Sequence, residues 1–454
     1  MHDTARNARE MMYFFILFVE ILLFGAKLLK KIEINEGFVK KMSYFCIMKR
    51  NIWLFKTFFV SFALLLTCLD TISAEEQHDS ILSDRFGQME VSLLTCEPHD
   101  EVYSLYGHTA VRIEDKATGH DWAVNWGVFD SRESFFVLRF IFGLTDYTVA
   151  VYDFQDFLAE YRHYGCAVHQ QRINMNAEQK RRFMMLLEEN LEPQNAVYRY
   201  NYYYNNCTTK ARDIIFHAVQ TGPEFIQWPD HDEEESHITF RDLIHGKNAD
   251  HPWARWGNDI LLGVGSDQPT RNDEREFLPD MLMRDFEEAR ICVSSDHKTV
   301  EEFPLVDSTF VVLPAGVPYH ADGFDVPFTP THCAIAFVCA ILALIIYERK
   351  THKRAPWAEF AACSVYGIVG IFLFLMLFSQ HPTVRANLQI LICNPLIFYL
   401  TFPKTRMKHR WEVVLMLCLL FFAGNAIQSY AEGMNLMALA LSLLAVNSIL
   451  YKKL

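Results

Sequence analysis

From residue 90 to residue 129 the apolar positions come in short bursts, from 177 to 218 they recur at helical spacing, and beyond Phe328 they run in long blocks. Each regime predicts a different kind of element. Glu90-Val91-Ser92-Leu93-Leu94-Thr95 reads as a strand. Thr109–Glu114 and Trp122–Phe129 are rich in β-branched and aromatic residues, and Asp115-Lys116-Ala117-Thr118-Gly119 between them supplies turn chemistry, which predicts a hairpin. Alternation along a strand puts His108, Ala110 and Arg112 on one face of the first hairpin strand, and Ala123, Asn125, Gly127 and Phe129 on one face of the second. Ala177–Asn190, apolar at Phe183, Leu186 and Leu187, reads as an amphipathic helix. Tyr198–Tyr204 predicts an extended run. Cys207, Ala211, Ile214, Ile215 and Ala218 then recur at i, i+4, i+7, i+8 and i+11, which is one face of a second helix. Cys207 falls in its first turn, with Asn205 or Asn206 as the N-cap. Trp256–Gly263 and Phe277–Asp280 are expected to be irregular segments packed on the core.

Five apolar stretches follow Phe328, at about 331–347, 358–378, 386–402, 411–428 and 434–451. Most come close to the ~20 residues that a membrane span requires. Arg349-Lys350 with Lys353-Arg354, the run Lys404, Arg406, Lys408 and Arg410, and the tail Lys452-Lys453 are basic, which places them on the cytoplasmic side. The loops near His381 and Glu432 then face outward, as does the domain that precedes the first span. Ser379-Gln380-His381-Pro382, Asn387 and Asn394-Pro395 interrupt the third block. Polar groups at such depth are costly unless partnered. Helix capping with a proline kink accounts for them, and so does a dock for a lipid headgroup or substrate on the outer side.

Upstream, Met48-Lys49-Arg50, the apolar run Phe58–Leu69 and Thr71-Ile72-Ser73-Ala74 read as a secretory signal over 48–74, cleaved after Ala74. The stretch 11–29 is also apolar. Were it a second span, the loop carrying Lys27, Lys30, Lys31, Lys40, Lys41, Lys49, Arg50 and Lys56 would face outward, against the positive-inside rule. Residues 1–47 are therefore read as an upstream extension with the start at Met48, the alternative being a true extra helix. The expected organisation is an extracytoplasmic domain over 75–327 and a five-helix membrane block over 328–454.

Composition supports a two-part chain. Of 454 residues, 51% are hydrophobic and 37 are Phe, too apolar for one soluble domain and too polar for a pure transporter. A formal net charge of -13 argues against nucleic-acid binding, which favours a basic surface. The cysteine count of 11 suggests a disulfide framework until positions are considered. Cys46 and Cys68 lie in the leader, and Cys333, Cys339, Cys363, Cys393 and Cys418 lie in the membrane blocks. Cys96, Cys166, Cys207 and Cys292 remain, with no CxxC pair that would mark a zinc site. A Cys96–Cys166 disulfide stays open, since spacing does not give connectivity.

His108 and Cys207 are the candidate chemistry. A thiol and an imidazole suffice for acyl transfer: the imidazole takes the proton and the thiolate attacks a carbonyl. A helix N-terminus also favours the thiolate. Taken singly, Cys207 reads as an ordinary buried cysteine and His108 as a satisfied strand-end histidine before either reads as catalytic, and spacing does not show that they touch. Asn125, on the neighbouring strand, either orients the imidazole or makes a sheet hydrogen bond. His120 is expected to be exposed in the hairpin turn. His231 and His237 flank Glu233-Glu234-Glu235, which reads as an acidic surface loop rather than a metal site.

Several of these segments together resemble the Lnb-type bacterial lipoprotein N-acyltransferase family: Leu93-Leu94-Thr95-Cys96-Glu97, Tyr106-Gly107-His108-Thr109-Ala110-Val111-Arg112-Ile113, Asn125-Trp126-Gly127-Val128-Phe129-Asp130, Tyr204-Asn205-Asn206-Cys207-Thr208-Thr209-Lys210 and Phe277-Leu278-Pro279-Asp280. His381-Pro382, Asn387 and Asn394-Pro395-Leu396 are similar to that family's membrane signature. The resemblance runs from about residue 85 to the end. It implies an α+β, circularly permuted papain-like domain followed by an all-α membrane block of about five transmembrane helices. It also implies that His108 and Cys207 are needed for activity. On this reading Cys207, His108 and Asn125 are catalytic, and Tyr106, Asn206, His381, Asn387 and Asn394 bind substrate. No cofactor or metal is called for. The implied partners are diacylglyceryl lipoproteins and membrane phospholipid, at the inner membrane with the catalytic domain on the periplasmic side. Two other readings stay open: a permuted papain-like peptidase or amidase acting on cell-wall peptides, and a non-catalytic membrane scaffold.

Overall fold

The computed structural model describes residues 85–451, apart from 102–103, 130–131, 133, 221, 231–236, 296–297 and 318–325. The signal segment 48–74, the stretch 11–29 and the acidic loop at Glu233–Glu235 lie outside the described residues.

The centre of the first half is an antiparallel sheet of seven strands in the order β10-β5-β1-β2-β3-β4-β6. Its members are β1 (Met89–Cys96), β2 (His108–Asp115), β3 (His120–Val128), β4 (Asp146–Asp153), β5 (Val168–Ile173), β6 (Val197–Arg199) and β10 (Val306–Leu313). The expected hairpin is β2–β3, in a register that sets Ala110 opposite Asn125. Helices cover both faces, which is why the strands read as apolar bursts rather than as strict alternation. On one face Val91, Leu93, Val111, Ile113, Val124 and Trp126 pack under α3 (Ala177–Leu191) and α4 (Cys207–Val219). On the other, Leu94, Ala110 and Ala123 pack under α2 (Phe154–Tyr164). A short helix, α1 (Phe136–Ile141), lies between β3 and β4. A second sheet, β7-β8-β9 (Glu224–Gln227, Arg290–Ser295, Lys298–Pro304), adds to the first core through Ile226 and Ile291.

Three expectations for this half need correction. Of the Tyr-rich run only Val197–Arg199 is strand; the chain then turns, because Asn201 Oδ1 accepts from the backbone N–H groups of both Tyr203 and Tyr204. Trp256–Gly263 is largely helical, inside α6 (Pro252–Leu261), which follows α5 (Phe240–Lys247). Pro279 begins another helix, α7 (Pro279–Glu288). Both α6 and α7 start on a proline, which suits the first helical position because its missing N–H would be unpaired there anyway.

The second half is helical. Among the described residues, α8 (Pro330–Thr351), α9 (Pro356–Met376) and α12 (Met434–Tyr451) are long and apolar enough to cross a membrane. Of the five expected spans, these three are continuous helices of that length. The fourth block forms α11 (Arg410–Gly424), a helix of 15 residues. The third is broken into a 3-10 turn, Leu388–Leu391, and a six-residue helix, α10 (Leu396–Thr401), because Pro395 cannot donate to a helix ladder. Its interior is nonetheless buried at Gln389, Ile392, Cys393 and Ile397.

The two halves are joined by backbone. Gly263 N–H donates to Thr383 O at 2.8 Å and Val264 N–H to Ala386 O at 2.8 Å. A Cβ on Gly263 would stand 2.4 Å from Ala386 O, so only glycine permits this approach. Tyr203, Phe240, Leu243 and Phe277 from the first half share a small core with Val384 from the second.

Candidate active site

The residues that matter begin as element starts. His108 is the first residue of β2 and Cys207 the first of α4, so both lie where the sheet and the helix end together. Asn206 is the N-cap of α4: its Oδ1 accepts from Thr209 N–H, and Thr209 Oγ1 accepts in return from Asn206 N–H, a reciprocal box. Its amide nitrogen donates to Tyr202 O and Phe277 O, tying the helix start to the turn before it and to the segment ahead of α7. Thr109, next to His108, faces α4 and donates from Oγ1 to Thr208 Oγ1 at 3.1 Å.

These contacts bring His108, Asn125 and Cys207 together. His108 Nε2 lies 2.6 Å from Asn125 Oδ1. An amide oxygen only accepts, so Nε2 carries the ring proton and Nδ1 is left as the basic nitrogen. The site of a Cβ on Gly127 lies 3.6 Å from Cys207 Cβ and 3.8 Å from His108 Cε1. Gly127 has φ +98, a conformation that favours glycine, at a β-bulge where β3 slips against β4. A larger residue there would crowd the pair.

The electrostatics follow from burial against pairing. Burial alone pushes the Cys207 thiol up; the His108 charge and hydrogen bond, the Thr109 backbone N–H and the Thr208 hydroxyl outweigh it and bring the thiol down to about 7. Burial pulls the His108 imidazole down, and Cys207 and Asn125 outweigh that and raise it above its ordinary value. The two shifts are one effect seen from both partners: each charge stabilises the other, so the pairing favours the thiolate and the imidazolium together. Cys96 is different. It is buried opposite His108 in the β1–β2 register, and burial holds its thiol well above the usual range. Cys96 and Cys166 are both free thiols; Cys166 Sγ points at Pro98 O, 3.5 Å away, and the disulfide left open by the sequence is not formed.

The remaining expected site residues are engaged elsewhere. Tyr106 accepts at its hydroxyl from Asn258 Nδ2 at 2.6 Å and from Asn248 Nδ2 at 3.4 Å, on the side of α6. Asn206 has its amide committed to the helix start. His381 donates from Nε2 to Phe140 O at 3.0 Å, beneath α1. Asn387 donates to Ile260 O at 2.8 Å and accepts from Gln428 Nε2, at the seam between the halves. Asn394 donates to Ile390 O and Leu391 O, closing the break in the third block. Asn206, His381, Asn387 and Asn394 each hold backbone by a side-chain hydrogen bond. Asn394 Oδ1 alone among them keeps a buried acceptor without a partner among the described residues. His120 is exposed as expected, but it is the first residue of β3 and stacks on Trp122.

Sequence reasoning missed the aromatic wall beside the thiol. Tyr147 stacks on Tyr200 at 4.1 Å between ring centroids and on Phe129 at 4.8 Å. Burial, with the Cys207 charge adding to it, raises the phenols of Tyr147, Tyr198 and Tyr200. The density of tyrosine from 198 to 204 was a signal, but the strand that supplies Tyr147 gave none.

The molecule is thus a membrane protein whose mixed α/β domain carries a cysteine–histidine–asparagine cluster, joined to an apolar helix block. Residues 83–245 match the Lnb N-terminal periplasmic domain and residues 321–454 match the Lnb transmembrane domain. The chain belongs to the Lnb family, with an extracytoplasmic domain followed by membrane helices. No curated protein and no solved structure matches it.

Proposed function

We propose that the protein is a thiol acyltransferase that N-acylates bacterial lipoproteins at the outer face of the inner membrane. The observation that carries the reading is the Cys207 thiol drawn down to about 7 by His108, which Asn125 holds at 2.6 Å. In the first step Cys207 Sγ attacks an ester carbonyl, the acyl C–O bond breaks, and His108 delivers its proton to the departing alcohol oxygen. In the second, the free α-amine of the lipidated N-terminal cysteine attacks the thioester. His108 takes the amine proton and the Cys207 thiolate leaves. Asn125 holds the imidazole so that Nδ1 faces the sulfur in both steps.

The proposed donor is the lipoprotein's own diacylglyceryl group, which would leave a lyso product. Proximity supports this: donor ester and acceptor amine lie on one molecule, so the acceptor is near when the thioester forms. The experiment is incubation of the purified protein with a diacylated lipopeptide in detergent, followed by mass spectrometry. The expected result is an acyl group on Cys207 that hydroxylamine removes, and an N-acylated lyso-lipopeptide. A three-chain product that appears only after phospholipid is added overturns the self-donor route. Free fatty acid as the sole product overturns transfer in favour of hydrolysis.

A further inference from the structure

The short helix α1 exposes large apolar side chains where a soluble domain would not. Phe135 is 76% exposed, and Leu138 and Leu144 are each 40% exposed. Phe135 also has φ +59, a left-handed conformation that is strained for an aromatic residue, and this conformation begins the helix. In water the segment would combine backbone strain with an unburied ring. Its position removes the second penalty. Ser379 Oγ donates to Ile141 O at 3.0 Å, Gln380 N–H donates to Phe142 O at 2.9 Å, and His381 Nε2 donates to Phe140 O. Gly143, at φ +68, allows this contact, since a Cβ there would meet Gln380 and His381. Ser379 lies three residues past the end of α9, whose last turn and exit expose Phe374, Leu377 and Phe378, the last at 70%. The carbonyl end of α1 is therefore fastened just past the end of a membrane-spanning helix, and exposed apolar side chains stand on both sides of that junction: Phe374, Leu377 and Phe378 on one, Phe135, Leu138 and Leu144 on the other. The other side of α1 faces the thiol: Phe136 stacks on Phe129 at 5.1 Å, Phe140 packs on Tyr200 at 5.9 Å, and both lead to Tyr147 beside Cys207.

We propose that α1 and its flanks lie in the outer leaflet of the bilayer and form the apolar mouth through which an acyl chain reaches Cys207. The occupant of the exposed face is lipid, because the helix that bears it is hydrogen-bonded to the exit of a membrane-length helix that is itself apolar and exposed. The mouth rests on the acyl-transfer reading above; the bilayer contact does not.

The test uses the full chain in liposomes of phosphatidylethanolamine and phosphatidylglycerol containing tritiated phosphatidylethanolamine. A photo-reactive phenylalanine analogue is placed at position 135, 138, 378 or 311; Val311 lies exposed on the edge strand β10. Lipid adducts at 135 and 138 are expected to approach those at 378 and to exceed those at 311 by about tenfold. Yields at 135 and 138 no higher than at 311 overturn the proposal. A second measurement compares acylation of Cys207 by a bilayer-embedded diacyl lipopeptide with acylation by a water-soluble short-chain thioester. In Leu138→Asp the ratio of the first rate to the second is expected to fall about tenfold, as a charge withdraws the mouth from the leaflet. An unchanged ratio overturns the mouth. If the wild type takes an acyl group from neither donor, the acyl-transfer reading fails and the mouth with it, while adducts at 135 and 138 would still support the bilayer contact.

Discussion

Cys207 differs from its neighbours in what it can do near neutral pH. A free thiol titrates near 8.5, and burial alone would move it higher. Here the paired imidazole reverses the sign. Alkylation of Cys207 by iodoacetamide is expected to rise with pH through a midpoint near 7 in the wild type. In His108→Ala the midpoint should move up, because only the Thr109 N–H and the Thr208 hydroxyl then oppose burial. A midpoint unmoved by that substitution would mean that the pair is not coupled. Cys207→Ala and Cys207→Ser are both expected to abolish acyl transfer while the protein still accumulates, the serine because its hydroxyl lacks an accessible anion; Cys96→Ala should cost stability at most. For Asn125→Ala the loss is smaller. A hydrogen bond to a charged group is worth about 1.5–3 kcal/mol, so the rate should fall by about 10–150-fold. His108, Cys207 and Asn125 could each be proposed from the sequence, since a strand start, a helix start and a shared sheet face are local patterns. The bond from Asn206 to Phe277 O could not, because it closes a long loop that no periodicity records.

Elements were legible in proportion to their regularity. β1, the β2–β3 hairpin, α3 and α4 have the period of one buried face, and each appears within a residue or two of its expected bounds. The Tyr-rich run misled because aromatic composition favours strands while Asn201 captures the backbone in a turn. Trp256–Gly263 and Phe277–Asp280 misled in the opposite direction, reading as irregular where helices begun by Pro252 and Pro279 run through them. At this scale the start of α4 is the sensitive point. Asn206→Ala removes the cap and both carbonyl contacts; losing a cap costs about 1 kcal/mol. The prediction is a lower unfolding temperature together with an upward shift of the Cys207 alkylation midpoint, as the frayed helix start loses its hold on the sulfur. A lower unfolding temperature with an unchanged midpoint would separate the cap from the thiol chemistry.

Across the whole molecule, the basic loops and the sheet domain lie at opposite ends of the helix block. Ser379–Asn387 and Gln428–Glu432 meet the domain, through the seam with Gly263 and the pair Arg255–Glu432. Arg349, Arg354 and Arg410 sit at the other end, where Arg354 pairs with Glu359 and bonds Ser448 near the end of α12. A cysteine introduced at Gln380 is therefore expected to react with an impermeant maleimide from outside, and one at Thr351 only after permeabilisation. The reverse pattern would invert the topology. The sequence carried this polarity in its charges, but not the seam, which depends on a glycine whose neighbours lie more than a hundred residues away.

The break at Asn394-Pro395 also bears on how the protein is built. A span that lacks a continuous helix exposes backbone carbonyls, and hydrocarbon offers them no partner. The broken segment is covered on one side by α9, where a Cβ on Gly370 would stand 2.3 Å from Asn394 N, so the two backbones nearly touch. Residues 386–402 thus have no stable place in lipid until α9 is there to receive them. The third block is therefore expected to reach its place only against α9, which precedes it in the chain. Gly370→Leu should therefore leave α8 and α9 in the membrane yet yield a chain that is cleared by quality-control proteases, a fate readable from its half-life in growing cells.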